Sequence, residues 1–270
     1  MVSVVINTRN EGKNIDLCLK SIRDQSYRDL EIIVVDNSST DGTKDLAKHW
    51  GAFVYDYGPE RSEQKNFGAQ KANGGYLLFI DADMELMPGV ISSCREKIQE
   101  GFGALVIPEV SVGNGFWAEC RSLEKKMYFN DPLIEAPRFF RKEIFELVGG
   151  YSPGMVSGED WDLREKIKKQ GAKIGRVNDL IYHHEGALSL VSSAKKKFYY
   201  ATYSGNYLSK NPQGPWNLIV FVLRPSYIKN IKYLLLDPLH FLGMMFLKGA
   251  EFASGLLGVI YSKYESRNTP

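Results

Sequence analysis

Tyr76-Leu77-Leu78-Phe79-Ile80-Asp81-Ala82-Asp83 sets five apolar residues ahead of two carboxylates spaced i and i+2. A short, continuous apolar run reads as a strand buried on both faces, and the acids fall where it ends. Two carboxylates so close repel each other, and one stays protonated unless a cation neutralises the pair. A divalent ion held by one or two carboxylates and completed by substrate phosphates resolves the repulsion. Asp-x-Asp alone is common in acidic turns. At the tip of a buried strand it carries more weight.

Working outward, apolar β-branched runs recur at 2–6, 31–35, 52–55 and 104–107. Ile15, Leu19 and Ile22 repeat at helical spacing, and 43–50, 63–72 and 88–100 read as further helices, the last with Pro88 in its first turn. Strand and helix in alternation predict an α/β fold, a mostly parallel sheet flanked by helices. Such sheets bind ligands at the carboxyl ends of their strands. There the sequence is polar: Asn7-Thr8-Arg9-Asn10-Glu11 after the first strand, Asp36-Asn37-Ser38-Ser39-Thr40-Asp41-Gly42 after the second, and Asp81-Ala82-Asp83. Asp41-Gly42 reads as a turn into a helix, but three acidic tips on one sheet edge call for a ligand. Farther on, 135–140 and 173–178 read as strands and 159–170 as a helix ending at Gly171. From Leu190 the chain turns helical, apolar and aromatic. The expected organisation is a catalytic domain over 1–190 and a C-terminal helical extension over 191–270.

At 270 residues, 44% hydrophobic and 24% charged, the chain can bury a substantial core. Cys18, Cys94 and Cys120 lack metal-knuckle or disulfide spacing and point to a reducing cytosol, and the opening residues do not read as a secretory signal. Residues 191–270 carry ten Lys or Arg against three acids, a net +7, and the remainder carries −5. A basic, apolar tail on a mildly acidic body suits an anionic surface, although solvated lysines give the same count. Nothing in the pattern calls for a nucleic-acid partner.

Val4-Val5-Ile6-Asn7-Thr8-Arg9-Asn10-Glu11, followed by Ile32-Ile33-Val34-Val35-Asp36-Asn37-Ser38-Ser39-Thr40-Asp41-Gly42-Thr43, resembles the opening of family 2 glycosyltransferases with the GT-A fold. Lys65-Asn66-Phe67-Gly68, Leu78-Phe79-Ile80-Asp81-Ala82-Asp83, Gly149-Gly150-Tyr151 and Gly158-Glu159-Asp160-Trp161-Asp162-Leu163 continue the pattern in order, over about residues 1–190. The resemblance implies an inverting, metal-dependent glycosyltransferase that uses a nucleoside-diphosphate sugar, a UDP-sugar first and GDP-mannose next. It implies that Thr8, Asn10, Glu11 and Asp36 line the nucleoside pocket. Lys65, where the family usually has Arg, would face the diphosphate as a point charge without the bidentate fork. Asp81 would hold ribose or metal, Asp83 the Mn or Mg ion, and Asp160 would be the general base, with Glu159 as runner-up.

Each assignment has a plainer competitor. Glu159 and Asp160 open a helix, where acids are ordinary. Asn66 is as well explained as a core hydrogen-bonding residue, and Trp161 as core or as a wall for a sugar. Tyr182-His183-His184-Glu185 offers a third metal ligand. Neighbouring side chains of an extended segment point to opposite faces, so one histidine reaches the site; His183 is favoured over His184. Arg138 and Arg141, in Pro137-Arg138-Phe139-Phe140-Arg141, suit an acceptor phosphate or simple strand alternation.

In the tail, 216–223, 238–247 and 252–262 are apolar runs too short to span a bilayer, with Lys248 and Glu251 breaking the last two apart. Apolar helices, crowded aromatics and lysines suit a helix lying in the interface, at the cytoplasmic face of a membrane. The competing explanations are a packed helical cap and a homodimer contact. A membrane-surface tail would fit a polyprenyl-linked acceptor, a glycan being the other acceptor class. Two other activities were weighed. A sugar-nucleotide pyrophosphorylase needs a Gly-rich basic loop after strand one, and a dehydrogenase needs Gly-x-Gly-x-x-Gly there; neither occurs. A non-catalytic glycan- or membrane-binding protein has no need of acids at 81, 83 and 160.

Overall fold

The computed structural model describes residues 1–131, 134–203 and 225–268. In chain order the strands are β1 (Val2–Thr8), β2 (Leu30–Asp36), β3 (Phe53–Asp56), β4 (Tyr76–Asp81), β5 (Met84–Leu86), β6 (Ala104–Val106), β7 (Glu109–Val112), β8 (Pro137–Arg141), β9 (Ile174–Arg176) and β10 (Ile181–His184). The helices are α1 (Ile15–Arg23), α2 (Thr43–His49), α3 (Arg61–Lys71), α4 (Val90–Lys97), α5 (Phe116–Met127), α6 (Lys142–Leu147), α7 (Glu159–Lys169), α8 (Leu190–Thr202), α9 (Pro225–Lys229), α10 (Ile231–Leu236) and α11 (Pro238–Asn268). Two compact units result: Met1–Val110 with Pro132–Gly154 and Glu159–His184, and Ser111–Asp131 with Met155–Gly158 and Glu185–Pro270.

The first unit is built on a seven-stranded sheet ordered β3-β2-β1-β4-β8-β6-β9. β1 pairs parallel with β2 and β4, β2 with β3 and β6 with β9, whereas β8 runs antiparallel between β4 and β6. Strand alternation splits the apolar residues between two faces. Val2, Val4, Ile6, Ile32, Val34, Leu78 and Ile80 meet Ile15, Leu19 and Ile22 of α1 and Val90, Ile91 and Cys94 of α4. Val5, Ile33, Val35, Leu77 and Phe79 meet Ala69 of α3, Phe145 of α6 and Leu163 and Ile167 of α7. Burying a side chain of this size contributes about 1.5–3 kcal/mol, so covering both faces dominates the stability of the unit. Gly68 lets α3 approach β1: a Cβ there would lie 2.3 Å from Val5 Cγ1. Gln64 Nε2 donates to the Thr8 and Val35 carbonyls, tying the same helix to the ends of β1 and β2.

Register decides what gathers at the carboxyl edge. Thr8 stands opposite Asp36 and Asn7 opposite Asp81, so the acidic tips expected from the sequence lie side by side. Past β4, the chain reverses into β5, which pairs antiparallel with β10 and sets His183 opposite Met84.

The second unit is helical. Cys120 and Leu123 of α5 pack with Met244 of α11. Arg121 pairs with Glu124 and Glu251, and Lys248 Nζ lies 2.7 Å from Glu124 and 3.4 Å from Glu251. Gly258 brings α11 against the carbonyl of Phe198 in α8. The sequence breaks the tail at Lys248 and Glu251; the structure corrects this, because α11 runs through both as one helix. Pro238–Ser262 spans 25 residues at mean hydropathy 1.3, long and apolar enough to cross a membrane by length and composition alone. The two charges do not end the helix because they turn onto α5. The 216–223 run lies outside the described residues.

Candidate active site

Asp81 ends β4 and Asp83 follows one residue on. Arg138 of β8 reaches Asp81, Nη1 to Oδ2 at 3.4 Å, and its Nε donates to Glu109 of β7 at 2.5 Å. Burial pushes the Asp81 carboxyl up, but Arg138, then Lys65, Arg61 and His183, outweigh it and hold it well below the usual carboxylate range. Asp83 is placed differently. Its Oδ2 lies 3.2 Å from His183 Nε2, while its Oδ1 is buried with no hydrogen-bond partner. His184, on the other face of β10, lies 2.9 Å from Glu85. His183 Nδ1 stands 3.7 Å from Glu109.

Asn7 Oδ1 and Thr8 Oγ1 at the end of β1 and Ser62 Oγ in the first turn of α3 are also buried without partners. Native proteins leave few such atoms, and each is a group a bound ligand could satisfy. Asp36 is fully buried, and its two oxygens accept from the backbone N–H and the hydroxyl of Ser39, fixing the turn after β2. Asn10, at φ 54°, accepts from the Thr40 N–H and donates its own N–H to Ser39. Glu11 accepts from Asn14 Nδ2, and burial raises its pKa. These contacts lace the loops after β1 and β2 into one wall.

The second group of acids opens α7. Asp160 Oδ1 lies 3.5 Å from Nζ of Lys65, a side chain only 2% exposed whose ammonium sits 4.8 Å from the centre of the Tyr151 ring. Glu159 is buried and faces Arg61 Nη2 at 3.7 Å. Burial first, then Asp160, raises its pKa against the pull of Lys65 and Arg61. Asn66 makes a reciprocal pair with the Tyr151 backbone, donating to its carbonyl at 2.8 Å and accepting from its N–H at 2.9 Å, the core role the sequence left open.

The structure therefore brings Asp81, Asp83, His183, Arg138, Lys65, Glu159 and Asp160 to one edge. Arg141 is not among them. It pairs with Tyr76 at the opposite end of β4, and its guanidinium donates to the Ile98 and Phe102 carbonyls. Trp161 donates from Nε1 to the Ile134 carbonyl. Sequence reasoning missed Glu109 and Arg61. Glu109 lies in Glu109-Val110-Ser111-Val112, an alternation only four residues long. Arg61 stands four residues before Lys65, on the same helix face, a signal visible once α3 is started at 61 rather than 63. Among the described residues no three His, Cys, Asp or Glu side chains form a ready metal cluster. The protein's own contribution is a part-set, the orphaned Asp83 oxygen beside His183, and it fits a divalent ion that other ligands complete.

A mostly parallel sheet between helices, with paired acids at the tip of its fourth strand and a second acidic pair opening a later helix, defines the class of GT-A folds. The chain belongs to glycosyl transferase family 2, whose pattern matches residues 3–158. It is 29% identical over 208 residues to GalNAc(5)-diNAcBac-PP-undecaprenol beta-1,3-glucosyltransferase of Campylobacter jejuni, covering 73% of this chain and 61% of that protein. It is 24% identical to glycosyltransferase AglE of Haloferax volcanii, covering 68% and 66%. The chain thus spans less than two thirds of either relative's length. Among solved structures it is similar to mannosyltransferase PcManGT of Pyrobaculum calidifontis in complex with GDP-Man and Mn2+, at 16% identity and TM-score 0.65 over 97% of this chain and 87% of that one. It is also similar to S. aureus TarS 1-349 in complex with UDP-GlcNAc, at 18% and 0.57 over 98% and 92%. At such identities the likeness concerns the fold.

Proposed function

We propose that this protein is an inverting glycosyltransferase that moves a sugar from a nucleoside-diphosphate sugar to a lipid-linked acceptor hydroxyl. The observation that carries the reading is the meeting of Asp81, Asp83 and His183 with the Lys65–Asp160 pair at one edge of the sheet. Asp83 and His183 would hold a Mn or Mg ion, which when bound stabilises the departing nucleoside diphosphate. The loops laced by Asn10, Asp36 and Ser39 would seat the nucleoside. Asp160 would take the proton from the acceptor hydroxyl as that oxygen attacks the anomeric carbon. What favours Asp160 over its neighbour is access: its side chain is 37% exposed against 7% for Glu159. Lys65 holds that carboxylate in place. The lipid-linked acceptor is supported by the undecaprenol-linked substrate in the name of the Campylobacter relative.

The tail supports the same acceptor. Phe246, Leu239, Leu242, Phe252 and Leu257 of α11 are all more than half exposed, an apolar stripe suited to a membrane interface. Lys248 and Glu251 are engaged on α5, so we read α11 as lying on the cytoplasmic membrane surface rather than crossing it. The test of the activity is release of UDP or GDP from a panel of nucleotide sugars, with Mn or Mg and with chelator. Metal-dependent release from one donor class is expected. No release from any donor, with or without a polyprenyl-phosphate acceptor, would favour the non-catalytic binding protein.

A further inference from the structure

Four cationic or basic side chains meet the acids of the site: Arg138 at Asp81, Lys65 at Asp160, Arg61 at Glu159 and His183 at Asp83. They differ in what they can offer a ligand arriving from solvent. Arg138 is 14% exposed and committed to Asp81 and Glu109. Lys65 is 2% exposed, lies against the Tyr151 ring and points to Asp160. His183 faces Asp83. Arg61, in the first turn of α3, is 43% exposed and its Nη2 lies 3.7 Å from Glu159. It lies one helical turn before Lys65, so both side chains leave the same face of α3 toward the sheet edge.

We infer that Arg61, rather than Lys65, is the residue that binds the donor's diphosphate, and that Lys65 is a positioning residue for Asp160. The inference rests on the nucleotide-sugar reading above and assigns roles within that site. A planar guanidinium gives two parallel N–H donors to phosphate oxygens, the bidentate geometry that a lysine lacks. The orphaned Ser62 hydroxyl, next in the chain, is a further donor at the same helix start. When diphosphate binds, the Arg61 guanidinium makes charge-assisted hydrogen bonds to phosphate oxygens, and Glu159 stays buried behind it.

The experiment is calorimetry of the full chain with Mn2+, titrating UDP and GDP and, by competition, uridine and guanosine. Wild type, Arg61→Gln and Arg61→Lys are compared, with thermal unfolding run on each; the exposed position makes loss of folding unexpected. Arg61→Gln should weaken nucleoside-diphosphate binding by about ten- to a hundredfold, the range for one charge-assisted contact. Nucleoside binding should stay within about twofold, since the base and ribose contacts lie elsewhere. Arg61→Lys should fall between, with charge kept and the fork lost. Equal diphosphate affinity in Arg61→Gln and wild type overturns the assignment, as does a parallel loss of nucleoside and diphosphate binding. Failure of wild type to bind either diphosphate overturns the donor reading itself.

Discussion

Glu159 and Asp160 are adjacent in the sequence and opposite in circumstance, and the difference can be measured. Asp160→Asn removes the proposed proton acceptor and leaves the donor site alone. Nucleotide affinity should hold while transfer falls by about a hundred- to ten-thousandfold; near-full turnover would move the role to Glu159. Glu159 has a folded-state pKa raised above 4.5. Its contribution to stability is present at low pH and is lost as pH rises from 4.5 through the raised value. Glu159→Gln should therefore unfold at a higher denaturant midpoint than wild type near neutral pH, with the advantage shrinking toward pH 4. An advantage that does not change with pH would show that the carboxyl's ionisation is not what differs. Asp81 and Asp83 stood out in the sequence because they end a buried strand, where unsupported acids are expensive, whereas Glu159 and Asp160 stood out only through the family resemblance. The partners were not legible: that Lys65 of α3 meets Asp160 of α7 across 95 residues of chain depends on tertiary packing, and that Arg138 meets Asp81 depends on the antiparallel placement of β8, neither of which a local pattern encodes.

At the scale of elements, α3 is the part whose position matters most, since it delivers Arg61, Ser62 and Lys65 to the site. Gly68 sets how closely it lies on β1. Gly68→Ala gains about 0.5–1 kcal/mol of helix preference, but its new Cβ meets Val5 at 2.3 Å. Overpacking of this kind costs about 1–3 kcal/mol and should win, so urea unfolding should show a net loss of stability. A stabilised variant would mean that α3 can shift freely. The parallel strands and α1 to α4 were legible because short continuous apolar runs alternate there with segments of helical period. β5, β7 and β10 were not, being three or four residues long with acids or histidines inside them. Nor was α5, whose buried face includes Glu124 and Cys120 and so blurs the apolar stripe. The same charge pairing misled the reading of the tail: Lys248 and Glu251 look like breaks until their partners on α5 are seen.

At the scale of the molecule, a net +7 over residues 191–270 combines with the bare apolar face of α11. Basic side chains near anionic headgroups each contribute about 1 kcal/mol, a term that salt screens, while the apolar face adds a part that salt does not remove. The full chain should therefore float with anionic vesicles and be weakened but not released by salt. Phe246→Glu combined with Leu242→Glu should cut vesicle binding by about tenfold or more while leaving the fold intact, since both side chains point to solvent. Protein that stays in the soluble fraction with every vesicle composition would return α11 to the packed-cap or homodimer explanation.

The most direct test of the central claim, a metal-dependent nucleotide-sugar site built around Asp83, is calorimetry of UDP and GDP binding to wild type and Asp83→Ala with and without Mn2+. Wild type should bind one of the two more tightly with the metal, and Asp83→Ala should lose that enhancement. Metal-enhanced affinity that survives in Asp83→Ala would contradict it.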